Sequence, residues 1–147
     1  MKHLFIGLSC IVLLLMSVQA AQAWVFPATT DAEWEQLLQT TPQQVTFIRT
    51  MDDWNEFASH ASEQISPLHA LTAEQLAAFT DSLVIRDGGL VTAEIGILKD
   101  NLTLQNYAAA LRAFGIAVSL AEDHKDYKCE GFHNCVALDR YICMTGC

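Results

Sequence analysis

Cys129, Cys135, Cys143 and Cys147 follow one another as Cys-x5-Cys-x7-Cys-x3-Cys within the last nineteen residues of the sequence. Any fold has to accommodate that spacing. In an oxidising compartment an even set of neighbouring thiols pairs, here into two disulfides. Each bridge typically adds about 2–4 kcal/mol by restricting the unfolded chain. Spacing alone does not choose among the possible pairings. Cys143 and Cys147 stand at i and i+4, so a final helical turn would put both on one face. That suits nested pairing to Cys129 and Cys135 across a hairpin formed by Phe132 to Ile142.

The start of the chain predicts the compartment. Lys2 and His3 form a short basic segment, and Leu4 to Met16 form an apolar run too short for a bilayer. Ala21-Gln22-Ala23 then supplies the small-x-small pattern read by a signal peptidase. A membrane-spanning helix needs about 20 consecutive apolar residues, and no later stretch offers them. Residues 1–23 therefore read as an export signal that takes Cys10 with it, and the product is expected to be secreted or periplasmic.

Charge narrows the partner classes. Eight basic residues against seventeen acidic ones give a formal charge of −9, more negative still once Lys2 is removed. Such a surface repels phosphate backbones and anionic lipid heads, so neither nucleic acid nor stable membrane insertion is expected. What remains after cleavage is long enough for one domain with a core of its own.

Residues 24–120 carry mostly helical signals. Thr29 or Thr30 is placed to cap a helix through Gln39, with Trp34, Leu37 and Leu38 on its apolar side. Thr41-Pro42-Gln43-Gln44 is a second start signal. Thr50 opens a third packet in which Met51, Trp54, Phe57, Ala58 and Ala61 form a helical stripe and Asp52 and Asp53 suit the first turn. A capping box follows at Leu71-Thr72-Ala73-Glu74-Gln75, and a parallel start signal recurs at Leu102-Thr103-Leu104-Gln105. The first precedes a stripe of Leu76, Phe79 and Leu83. The second precedes Leu104, Tyr107, Ala108, Leu111 and Phe114, which Gly115 stops. Between them, Asp87-Gly88 flanked by apolar residues is a hairpin signal, but Leu90, Glu94, Ile97 and Leu98 also fit a helix. The favoured reading is an extended stretch to Ile85, a turn at Asp87-Gly89 and a helix from about Leu90 to Lys99. Ile116 to Leu120 reads as a strand and Glu122 to Asp126 as a solvated connector.

No catalytic constellation emerges. His124 and His133 flank Cys129, but the paired Cys-x2-Cys or His-x3-His grip of a zinc site is missing, so no metal or other cofactor is expected. No Gly-x-Ser-x-Gly elbow houses a nucleophilic serine. A catalytic cysteine would need an unpaired thiol. Asp87-Gly88-Gly89 lacks the Lys-Ser/Thr of a phosphate loop. As a calcium loop it would put Leu83 and Ile85 where oxygen ligands belong.

The expected fold is mainly α: a bundle of short helices over residues 24–120, followed at 121–147 by a disulfide-stapled, irregular or short-hairpin tail. The expected role is binding of another protein, with the tail as recognition surface and Phe132, Tyr141, Ile142 and Met144 as apolar contacts. Two alternatives accompany it. One is a precursor whose helical part is removed to release a small Cys-rich toxin or antimicrobial peptide. The other is a small secreted hydrolase using dispersed carboxylates.

Overall fold

The computed structural model describes residues 47–147 together with Ala32, Gln36 and Gln39, which are helical and exposed. The export segment, Trp24, Trp34 and the start signal at Thr41 to Gln44 lie outside the described residues.

The short-range signals set the helices. Thr50 is extended and caps helix α1 (Met51–Ser59) by accepting the Asp53 N–H at 3.1 Å. The Asp53 carboxylate reaches back to the N–H groups of Thr50 and Arg49, at 2.9 and 3.0 Å. The Arg49 N–H, ahead of the Thr50 contacts, holds that carboxyl below its usual range. Thr72 and Gln75 form the same reciprocal box on helix α2 (Ala73–Ser82). After helix α3 (Ile95–Asn101), Thr103 accepts the Asn106 N–H at the start of helix α4 (Leu104–Ala113). Gly115 follows with φ +74°, the left-handed stop that glycine takes without strain. Helix α5 (Val118–Asp123) follows.

The helices meet around Trp54. Its ring lies 5.3 Å from that of Phe79 and 5.8 Å from that of Phe114, and its Nε1–H donates to Thr80 Oγ1 at 3.0 Å. Phe57, Leu68, Leu98, Leu111 and Ile48 are buried with it. Tyr107 is also buried, and its hydroxyl has no hydrogen-bond partner among the described residues. Burial first, then the charge of Glu122, pushes that phenol up to about 12.

The mainly α expectation is overturned by a four-stranded antiparallel sheet in the order β1-β2-β4-β3. Strands β1 (Val84–Arg86) and β2 (Gly89–Ala93) form a hairpin whose turn residues Asp87 and Gly88 both have positive φ, 52° and 79°. That is the twist a two-residue hairpin turn requires. The helix expected from Leu90 starts only at Ile95, because Leu90 to Ala93 are taken up as a central strand, all four buried. A strand covered on both faces shows no polar alternation, which hides it. The expected strand at Ile116 to Leu120 is instead a buried, irregular Ile116 followed by Ala117 and the first turn of α5. Leu104, assigned to a buried stripe, is 74% exposed.

The tail, expected to be irregular or a short hairpin, is a hairpin that supplies the other half of the sheet, β3 (Lys125–Cys129) and β4 (Cys135–Cys143). Strand β4 pairs with β2 through Thr92↔Cys143 and Ala93↔Ile142. Buried Thr92 ties three strands together: its hydroxyl donates to Ile142 O at 2.6 Å and accepts from Cys129 N at 3.4 Å. Among the described residues no helix is long and apolar enough to cross a membrane.

Candidate functional site

Strand β4 doubles back on itself. Its end residues, Cys135 and Cys143, have Cα atoms 6.0 Å apart and are joined by a disulfide. A straight strand of nine residues would separate them by roughly 26 Å. The fold occurs at Asp126 and Arg140, the two interior strand residues with left-handed φ, 64° and 72°. Between the pairs Lys125↔Ile142 and Tyr127↔Ala137, four residues of β4 (Leu138 to Tyr141) face the single Asp126 of β3. The Arg140 N–H donates to Asp126 Oδ1 at 3.2 Å across the bend.

Arg140 also fastens the bend to the body. Its Nε donates to Glu94 Oε1 at 3.2 Å and its Nη1 to Asp100 Oδ2. Asp100, then Glu94, raises its pKa above the ordinary guanidinium value. Gly96 permits the approach, because a Cβ there would stand 2.7 Å from Arg140 Cβ. A cleft of about 240 Å³ opens beside this clamp, lined chiefly by Gly96, Lys99, Asp100, Lys125, Asp126 and Asp139. In the last turn of α5, Glu122 takes Lys99 and Lys125, each at 2.8 Å. Hydrogen bonds from Lys125 first and Lys99 second hold its carboxyl below the usual range.

The second disulfide joins Cys129 to Cys147, so the pairing is nested, with Cys135–Cys143 inside it in sequence. Cys143 and Cys147 are 2% and 3% exposed and pack on Val91, whereas Cys135 is exposed. The sulfurs of Cys129, Cys143 and Cys147 all lie within 4.8 Å of one another. Paired as disulfides they present no thiolates, the form in which cysteine ligates zinc or acts as a nucleophile. His133 and His124 add no ring nitrogen to that group.

The cysteines bracket a loop, Glu130 to Asn134, closed by Glu130 N–H to Asn134 O at 2.9 Å and by His133 N–H to Cys147 O at 2.6 Å. At its tip Phe132 is 82% exposed, and the Arg86 guanidinium sits over its ring at 5.2 Å. The four tail residues expected as apolar contacts are therefore divided. Phe132 faces outward; Tyr141 is half-buried with Lys128 Nζ 5.1 Å from its ring; Ile142 and Met144 are buried in the main core. Arg86 carries no recognition signal in the sequence, since only the sheet brings β1 beside the tail loop. Arg140 is equally silent, because a bend residue with positive φ would be sought at Gly or Asn.

Comparison with protein-family models, with curated proteins and with solved structures finds no match to this chain.

Proposed function

We propose that this chain is an exported protein that acts by binding another protein through the loop Glu130 to Asn134. The observation that carries the reading is Phe132: a large aromatic side chain, 82% exposed, on a loop flanked on both sides by disulfide-bonded cysteines. Aromatic and arginine side chains supply most of the energy at protein interfaces, and Arg86 is already stacked on this ring. The bridges order the loop before docking, which removes part of the entropy cost of association. The matching surface on the partner is an apolar pocket with a rim that is neutral or basic, given the chain's charge of −9.

Ile142 and Met144 contribute to this site indirectly, by anchoring β4 in the core. Release of a Cys-rich peptide from a discarded helical part would require pulling both out of that core. The two disulfides favour the oxidising compartment that the export segment predicts.

The test uses the secreted, oxidised protein with a photo-crosslinking residue at Glu130, beside the loop tip. Specific crosslinks that disappear in Phe132→Ala and after reduction support the reading. Crosslinks equally strong in both, or intact mass showing that the native product is a tail fragment, would overturn it.

A further inference from the structure

The two disulfides of the tail differ in access yet touch each other. Cys135, at one end of the inner bridge, is exposed, so a thiolate in solvent can reach its Sγ. The outer bridge is less open, with Cys129 half-buried. Cys147 is 3% exposed, and the Gly131 carbonyl oxygen stands 3.1 Å from the sulfurs of both Cys129 and Cys147. Disulfide sulfurs carry no hydrogen, so these are oxygen–sulfur contacts, and they present a negative dipole to an incoming anion. Cys143 is the residue common to both environments. It is bonded to exposed Cys135, while its own Sγ lies within 4.8 Å of both sulfurs of the outer bridge.

The geometry points to a thiol–disulfide exchange relay, in which an external dithiol reacts at Cys135 and Cys143 carries the exchange inward to the Cys129–Cys147 bond. An external thiolate attacks Cys135 Sγ, forming a mixed disulfide as the Cys135–Cys143 bond breaks and Cys143 leaves as thiolate. Cys143 then attacks Cys129 or Cys147, breaking their bond and joining the attacked sulfur; the other leaves as thiolate and takes a proton from water. The second thiol of the dithiol resolves the mixed disulfide, releasing cyclic or oxidised reductant and the Cys135 thiol. One dithiol is oxidised and the two protein disulfides become one. That remaining bridge now contains Cys143; Cys135, one flank of the Phe132 loop, is free, and Cys129, the other, is free as well when Cys147 is the sulfur attacked.

The relay follows from proximity. Attack within a preassembled sulfur cluster avoids the entropy of bringing two molecules together, and exchange rates depend on which sulfur is accessible. An outer bridge reduced directly by solvent reductant would need no Cys143.

The experiment compares Cys135→Ala with Cys135→Ala/Cys143→Ala. Both lack the inner bridge and keep Cys129–Cys147, so they differ only in the neighbouring thiol. Each is treated with reduced dithiothreitol, quenched with acid, alkylated and mapped by peptide mass. The relay predicts loss of the Cys129–Cys147 bond about tenfold or more faster in the single variant. It also predicts a population in which Cys143 is bonded to Cys129 or Cys147. Equal rates, with Cys143 alkylated throughout, would overturn it. Should these variants not fold, the wild-type protein is treated with one equivalent of dithiothreitol and its single-disulfide species are mapped. A bridge containing Cys143 and either Cys129 or Cys147 supports the relay. Only Cys129–Cys147, with Cys135 and Cys143 alkylated, refutes it.

Discussion

Thr92 concentrates more of the fold in one side chain than its size suggests. Its hydroxyl joins β2 to the Ile142 carbonyl and to the Cys129 N–H, at a fully buried position. Thr92→Val keeps the shape and deletes both contacts, leaving buried polar groups unpaired, and is expected to cost about 1–3 kcal/mol in urea denaturation. Tyr107 presents the opposite case. Its hydroxyl is buried without a partner among the described residues, so Tyr107→Phe is expected to raise stability by about 1 kcal/mol in the same measurement. Glu122 links charge to pH. Its folded pKa lies below the ordinary 4.5 because Lys125 and Lys99 favour the carboxylate. Its stabilisation is complete above 4.5 and is lost as pH falls through the lower folded value. Urea midpoints should therefore show Glu122→Gln less stable than wild type at neutral pH, with the gap closing below that value.

At the level of elements, what the sequence reveals and what it hides separate by range. Thr50, Thr72 and Thr103 cap helices where they were expected to, because a cap needs only a hydroxyl and an N–H three residues on. Thr50→Ala should accordingly cost about 1 kcal/mol, with the loss read as a lower thermal midpoint. The Asp87-Gly88 turn was visible for the same reason. Strand β2, which the same turn signalled as a hairpin arm, is outweighed by a helical reading, because Leu90 to Ala93 are buried on both faces and mimic a helical stripe with Ile97 and Leu98. Strand β4 depends on partners fifty residues back, such as Thr92 with Ile142, and no local pattern records them. The cysteines of the candidate site and Phe132 could be singled out from spacing and residue type. The outward aim of Phe132, the inward aim of Ile142 and Met144, and the arrival of Arg86 are products of the sheet. The bend in β4 rests on a similar long-range fit, the absence of a Cβ at Gly96 beneath Arg140. Gly96→Ala forces the two apart and is expected to destabilise by about 1–3 kcal/mol, measured by denaturant unfolding.

For the molecule as a whole, the bridges crosslink the tail within itself, and Ile142 and Met144 beside them tie it to the core. Loop-closure entropy gives each of them about 2–3 kcal/mol, and reduction releases β4, which holds Ile142 and Met144 against the helices. Full reduction should therefore lower the unfolding midpoint of the entire domain and expose Trp54 in the same transition, followed by its fluorescence; a tail melting separately would leave that signal unchanged. The doubled-back hairpin has one more consequence, for coexistence with other copies at high concentration. A sheet grows by offering a long, flat row of unpaired backbone groups to another strand. Here one boundary strand is the three-residue β1, with a register slip after Val84. The other, β3, carries Lys125 and Lys128 and is broken by the left-handed Asp126. The kink that folds the hairpin thus also leaves neighbouring molecules a poor template beside the four strands of the described residues, so thioflavin binding is expected to stay low in concentrated solutions of the folded protein.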